Sequence, residues 1–240
     1  GNEWYYFDPA DNGAMVTGWH NFTGKTVYYG ADGAMCFGEH YVDGFWRYFN
    51  PANGALWTGW CDLPGKRVYY NSDGEMIFGE KAIDGKWYYF SERDGAMVTG
   101  WYDLPGKRVY YDENGAMQFG EKNIDGHWYL LSPKDGAMVT GWYDFPEKRV
   151  YYDTDGAMLF GEQKIEEKWY LFSEKDGAMV TGWYDLPEKR VYYDVNGAML
   201  FGEQKIEEKW YYLNPADGAL VTGLQKISDG YRYYLPEGGW

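Results

Sequence analysis

A Gly-x-Met or Gly-x-Leu turn recurs eleven times along this chain, at intervals that alternate between 20 and 21 residues. The glycines are Gly13, Gly33, Gly54, Gly74, Gly95, Gly115, Gly136, Gly156, Gly177, Gly197 and Gly218. A unit this short cannot bury an apolar face of its own, so it has to stack on its neighbours. Whatever such an array does, it does repeatedly. That points to multivalent binding before catalysis.

The full period is 41 residues, made of two unlike halves. One half, as in residues 87–101, reads Trp-Tyr-Tyr-Phe, a turn, then Met-Val-Thr-Gly-Trp. The other, as in residues 108–121, reads Arg-Val-Tyr-Tyr-Asp, a turn, then Met-x-Phe-Gly-Glu. Each half reads as two β-rich runs joined by a loop such as Glu113-Asn114-Gly115 or Thr154-Asp155-Gly156. Asn-Gly and Asp-Gly between such runs signal hairpins, because glycine takes the positive φ that the turn needs. No helical periodicity interrupts the pattern. The expected fold is all-β: a solenoid, or superhelix, of about twelve stacked hairpins spanning residues 1–240 as a single module with no linker. Drift is confined to the ends, as expected of caps. Arg47 replaces a Tyr, Trp57 a Val and Leu224 a Trp, and the last unit (231–240) lacks the Gly-x-Met turn.

Side chains alternate faces along a strand, so fixed ring positions define the chemistry. The opening Trp of the first half is Trp4, Trp46, Trp87, Trp128, Trp169 or Trp210. Two residues on, on the same face, stand Tyr6, Tyr48, Tyr89, Leu130, Leu171 and Tyr212. Equating the Trp slot with Val27, Val68, Val109, Val150 and Val191 in the other half makes its third slot Tyr29, Tyr70, Tyr111, Tyr152 and Tyr193. The Trp after Gly is Trp19, Trp60, Trp101, Trp142 or Trp183, and its counterpart in the other half is Glu39, Glu80, Glu121, Glu162 or Glu203. Two readings stand. Every ring is core stapling one hairpin to the next, since a twenty-residue hairpin has little else to bury. Or the rings near strand ends, the Gly-Trp residues above all, wall a groove. On the second reading the candidate ligand-binding residues are Trp19, Tyr29, Trp46, Trp60, Tyr70, Trp87, Trp101, Tyr111, Trp128, Trp142, Tyr152, Trp169, Trp183, Tyr193 and Trp210.

Aromatic residues make up 21% of the chain, more than a core requires, so many rings must lie near the surface. Surface ring faces suit sugars, quaternary ammonium groups or another protein. A net charge of −15 disfavours nucleic acid and anionic membranes. No apolar run approaches the about 18 residues of a membrane span. No signal peptide is visible, and the chain opens at Gly1-Asn2-Glu3 directly onto Trp4-Tyr5-Tyr6-Phe7, like a piece of a longer secreted protein.

Other constellations read as structure. Cys36 and Cys61 fall in variable slots, and spacing alone does not decide whether they pair. Acidic turns such as 112–115 offer too few oxygens for calcium, and His20, His40 and His127 share no metal spacing. Neither a metal nor a cofactor is expected. Glu166-Glu167 and Glu207-Glu208 are adjacent on a strand path and face opposite ways, unlike the facing carboxylates of a glycosidase. Asp62/Arg67, Asp103/Arg108, Asp144/Arg149 and Asp185/Arg190 read as recurring ion pairs across a short loop, with sugar hydroxyls as the other use. With no nucleophile motif and no phosphate loop, catalysis is expected only outside this chain.

The pattern Trp-Tyr-Tyr-Phe…Gly-Ala-Met…Thr-Gly-Trp, present throughout the chain, resembles the cell-wall-binding repeat family. That family includes choline-binding modules of autolysins and phage lysins, glucan-binding repeats of glucosyltransferases, and clostridial toxin repeats. The resemblance implies a hairpin solenoid with ligand sites between successive hairpins, and a choline cage of three rings. Here Trp101 is followed eight residues later by Val109, and Trp128 is preceded seven residues earlier by Glu121. Each cage therefore lacks a ring and leaves sets such as Trp101, Tyr111 and Trp128, with Glu121 able to pair with a cation. The expected function is a non-catalytic module anchoring a secreted or surface protein to a bacterial cell-wall polymer or other glycan. Choline on teichoic acid is the alternative ligand. A structural spacer with weak self-association is the further alternative.

Overall fold

The computed structural model describes residues 3–236. The chain divides into two compact units, one ending at Gln118 and one beginning at Phe119, and each repeats the same motif. Among the described residues eleven antiparallel hairpins follow one another, one of them (Gly202–Ile206 with Lys209–Leu213) joined by a third short strand, Leu220–Val221, and they are preceded by a short pairing of Phe7–Asp8 with Ala14–Met15. Among the described residues there is no α-helix, only a 3-10 turn at Pro9–Asp11. Part of the final unit, 237–240, lies outside the described residues.

In a typical hairpin Gly100–Leu104 (β1) pairs with Lys107–Tyr111 (β2), placing Trp101 opposite Tyr110 and Asp103 opposite Arg108. The next pairs Gly120–Ile124 (β3) with His127–Leu131 (β4), placing Glu121 opposite Leu130 and Asn123 opposite Trp128. A left-handed glycine starts each of these ladders, at φ +76° for Gly100 and +74° for Gly120. The two-residue turns that close the ladders differ in sequence and in backbone. Pro-Gly turns have glycine at φ +80°, as at Gly65 and Gly106, the geometry of a type II turn. Asp-Gly turns have both residues left-handed, as at Asp84 (φ 49°) and Gly85 (φ 75°), the type I′ pattern that suits strand twist. Glu166-Glu167 and Glu207-Glu208 adopt the same I′ angles without glycine. Where Glu147 and Glu188 replace the Pro-Gly glycine, the left-handed residue is gone and the paired strands shorten to four residues, as in Gly141–Asp144 with Arg149–Tyr152.

The Gly-x-Met turns do a different job from the one expected. Asn114-Gly115 and Asp155-Gly156 do not close the ladders; they close single bridges, Tyr111 to Met117 and Tyr152 to Met158. After each Met the chain runs only two residues before the left-handed glycine of the next ladder, which leaves no room for more rungs. The Met instead reaches the preceding hairpin. Met158 N–H donates to the Trp128 carbonyl at 2.8 Å and Met179 N–H to the Arg149 carbonyl at 2.7 Å. Its side chain then lies on the next turn glycine. A Cβ on Gly177 would sit 2.4 Å from Met158 Sδ, and one on Gly115 the same distance from Met97 Sδ. At one step Leu56 takes the place of Met, 2.6 Å from such a Cβ on Gly74. Close stacking, as much as turn geometry, fixes the glycine period.

The second strand of the Val-Tyr-Tyr hairpins buries one face. Val27, Val68, Val109, Val150 and Val191 are completely buried, and Tyr29, Tyr70, Tyr111, Tyr152 and Tyr193 are at most 1% exposed. These tyrosines were expected to line ligand sites; the structure makes them core. The register supplies the reason. Trp87 stands opposite Ala82, two residues beyond the ladder's Glu80, and Arg108 stands opposite Asp103, two beyond Trp101. Arg108, not Val109, is therefore the counterpart of Trp87. A one-residue slip sends every side chain to the other face of a strand, so the Val and Tyr slots belong to the core face.

Candidate functional site

With the register corrected, the outer face of most hairpins carries one ring and one charge at two equivalent places. One kind of hairpin has Trp60 with Arg67, Trp101 with Arg108, Trp142 with Arg149, or Trp183 with Arg190. The other has Glu39 with Trp46, Glu80 with Trp87, Glu121 with Trp128, or Glu162 with Trp169. Within each unit these faces meet the next hairpin and make two alternating kinds of recess.

In the first kind the Gly-Trp ring is half-buried between rings. Trp142 lies 5.0 Å from Tyr151 in its own hairpin and 5.0 Å from Tyr170 in the next, both edge-on, with Phe172 at 5.9 Å. Trp60 repeats this with Tyr69, Tyr88 and Phe90. A guanidinium from the same chain lies over each ring, at 4.8 Å for Arg67, 5.3 Å for Arg108, 4.7 Å for Arg149 and 5.1 Å for Arg190. The expected Asp/Arg pairs are present too, with Nε to Oδ1 distances of 3.2 Å for Arg149–Asp144 and 3.5 Å for Arg108–Asp103. Their aspartates are 74–81% exposed, so the pairs orient the arginines more than they stabilise the fold.

In the second kind the Trp ring is open. Trp46, Trp87, Trp128 and Trp169 are 40–46% exposed. Beside three of them lies a cavity: about 140 Å³ at Trp46 with Glu39, Lys66, Met76, Phe78 and Asp94; about 220 Å³ at Trp128; and about 150 Å³ at Trp169. Each cavity has a polar wall. Lys66 Nζ lies 2.9 Å from Glu39 and donates to the Asp94 carbonyl at 3.0 Å. Lys148 lies 3.8 Å from Glu121 and Lys189 4.0 Å from Glu162, each also donating to a carbonyl, of Asp176 and Asp217. Lys107 pairs with Glu80 at 3.7 Å. Trp210 differs. Gly230 stands where the other hairpins have Lys, and Arg232 pairs with Glu203 instead.

The buried tyrosines sit behind these carboxylates. Burial, and then the neighbouring Glu39, Glu80, Glu121 and Glu162, hold the hydroxyls of Tyr70, Tyr111, Tyr152 and Tyr193 well above the ordinary phenol value. Tyr193 donates to Glu162 at 3.3 Å. The tyrosines thus back the grooves without offering them a ring face.

The sequence model of the choline-binding repeat matches residues 16–59, 57–100, 98–141, 139–182 and 180–223. The chain belongs to the choline-binding repeat family. Among solved structures it resembles CbpJ of Streptococcus pneumoniae TIGR4, with 26% identity, a TM-score of 0.75 and full coverage of both chains. Choline binding protein F of Streptococcus pneumoniae is similar at 26% identity and a TM-score of 0.70, covering 100% of this chain and 99% of that one. The same protein solved in the presence of a tetrasaccharide-pentapeptide peptidoglycan analogue gives a TM-score of 0.71 at 26% identity, with the same coverage. A comparison with curated proteins gives no match.

Within these choline-binding repeats the structure brings together Trp46, Trp128 or Trp169 with a Glu, a Lys, a Met and a Phe, a set the sequence reading did not assemble. The signal was present. Glu39/Lys66, Glu80/Lys107, Glu121/Lys148 and Glu162/Lys189 recur 27 residues apart with the 41-residue period. Cys36 and Cys61 are free thiols, Cys61 buried.

Proposed function

We propose that the chain is a multivalent, non-catalytic module that holds a secreted or surface protein on a bacterial cell-wall polymer, with the exposed-Trp grooves as its contacts. One observation carries this: the indoles of Trp46, Trp87, Trp128 and Trp169 are open beside a Glu–Lys pair. An open indole takes the C–H face of a sugar ring, while the carboxylate accepts from hydroxyls and the ammonium donates to them. Each contact is weak, and linkage through one chain makes the set effective. The likeness to a choline binding protein studied with a peptidoglycan analogue supports the reading.

The test is retention on isolated cell walls. Trp128→Ala with Trp169→Ala is expected to release the module, while Trp142→Ala with Trp183→Ala leaves retention near that of the parent. The reverse result would discard these grooves as the contacts.

Choline is the second reading. It is favoured by family membership and by a carboxylate in each groove, which pairs with a quaternary ammonium once the lysine swings away. Free choline at millimolar concentration then elutes the module, and Glu121→Gln with Glu162→Gln weakens that elution. If neither choline nor any wall glycan binds and sedimentation shows concentration-dependent association, the module is a spacer that self-associates.

A further inference from the structure

Among the described residues a guanidinium lies over every Gly-Trp ring, and at one ring it comes from a different place. Thr26 occupies the slot filled elsewhere by Arg67, Arg108, Arg149 and Arg190. The corresponding ring, Trp19, is nevertheless covered, because Arg47 in the next hairpin places its guanidinium 5.1 Å from the ring centroid. Arg47 stands where that hairpin type otherwise has Tyr, as at Tyr88 and Tyr170, so the change of ring to cation there accompanies the loss of cation at Thr26. Arg47 is only 8% exposed, and it donates to the Asp73 carbonyl and pairs with Glu75 at 3.4 Å. Five rings thus keep a cation from two different positions. Surface pairing between Asp and Arg does not explain that.

We infer that these arginines are specificity-determining residues, each the built-in occupant of an aromatic recess that would otherwise take an organic cation. A Trp face with Tyr and Phe rings packed about it is the chemistry that recognises quaternary ammonium and methylated ammonium groups. At Trp142 the walls are Tyr151, Tyr170 and Phe172, and the face is taken by Arg149. A tethered occupant competes at a high effective concentration, so a free cation at millimolar concentration does not displace it. The arginines therefore close the Gly-Trp recesses and leave the exposed-Trp grooves as the ligand-accepting set, whichever ligand those grooves take.

The experiment follows the indole N–H resonance of Trp142, assigned with Trp142→Phe, in the whole chain titrated with tetramethylammonium. In the parent this resonance should stay put in the millimolar range. In Arg149→Gln, which keeps most of the side chain and loses the charge, it should shift saturably at a concentration about tenfold lower than any shift in the parent. Arg149→Lys should stay closed. Arg190→Gln read at Trp183 repeats the test in a second recess and serves if Arg149→Gln does not fold. Equal shifts in parent and variant, or none in a folded variant, overturn the inference. Trp128 and Trp169 resonances read with glycan or choline report on the grooves separately, so failure of one idea is distinguishable from failure of the other.

Discussion

At the scale of single residues, the contact between Met158 and Gly177 shows why so few substitutions are open to the seam. Gly177 has φ +66°, and a Cβ there meets Met158 Sδ at 2.4 Å. Gly177→Ala combines a left-handed backbone penalty with overpacking and should cost roughly 2–4 kcal/mol in urea unfolding. Adding Met158→Ala removes the steric part and leaves the backbone part, so the double variant should be less destabilised than the sum of the two single ones. The buried tyrosines give a second expectation. Burial and Glu203 push Tyr234 up to about 12 from its ordinary 10.0, and Tyr70, Tyr111, Tyr152 and Tyr193 are shifted the same way. The unfolded phenols lose their protons near the ordinary value, while the folded ones keep theirs. This contribution to stability is therefore intact below about pH 10 and is lost as pH rises through the folded values. Tyrosinate absorbance at 295 nm should show these residues ionising only together with loss of the far-ultraviolet signal. Ionisation without unfolding would contradict their burial.

At the scale of the hairpin, turn sequence decides ladder length. Gly126 has φ +86° in an Asp-Gly turn, whereas Glu167 holds φ +68° in the equivalent Glu-Glu turn. Gly126→Glu should destabilise by roughly 1 kcal/mol, and Glu167→Gly should raise the Tm. Scanning calorimetry of both variants checks the sign of each. The repeat, the strands and the all-β class were legible because glycine spacing and ring alternation are local signals. The phase was not. Asn114-Gly115 and Asp84-Gly85 look alike in sequence, and only the pairing of Gly100–Leu104 with Lys107–Tyr111 shows which kind of turn closes a ladder. Matching Trp-Tyr-Tyr to Val-Tyr-Tyr through the shared tyrosines set Trp87 against Val109. Counting from the ladder-opening glycine, Gly79 or Gly100, would have set it against Arg108. That single slip moved Tyr29, Tyr70, Tyr111, Tyr152 and Tyr193 from core to groove, and hid the arginines over the Gly-Trp rings.

At the scale of the whole molecule, the proposed function rests on several equivalent contacts, so loss should be graded. Removing one open indole, as in Trp128→Ala, should lower wall retention by roughly tenfold, and Trp128→Ala with Trp169→Ala by more than either alone. An all-or-none response to one variant would mean a single dominant site. The seam that joins the repeats carries a liability of another sort. Nearly every step rests on one thioether, and thioethers oxidise to bulky, polar sulfoxides that fit poorly against a bare glycine. Met15 is 44% exposed, whereas Met76, Met117, Met158 and Met199 are 6–7% exposed. Under peroxide, damage should therefore begin at Met15 and reach the sheltered methionines only as neighbouring repeats loosen. The step held by Leu56 is the one that such ageing passes over.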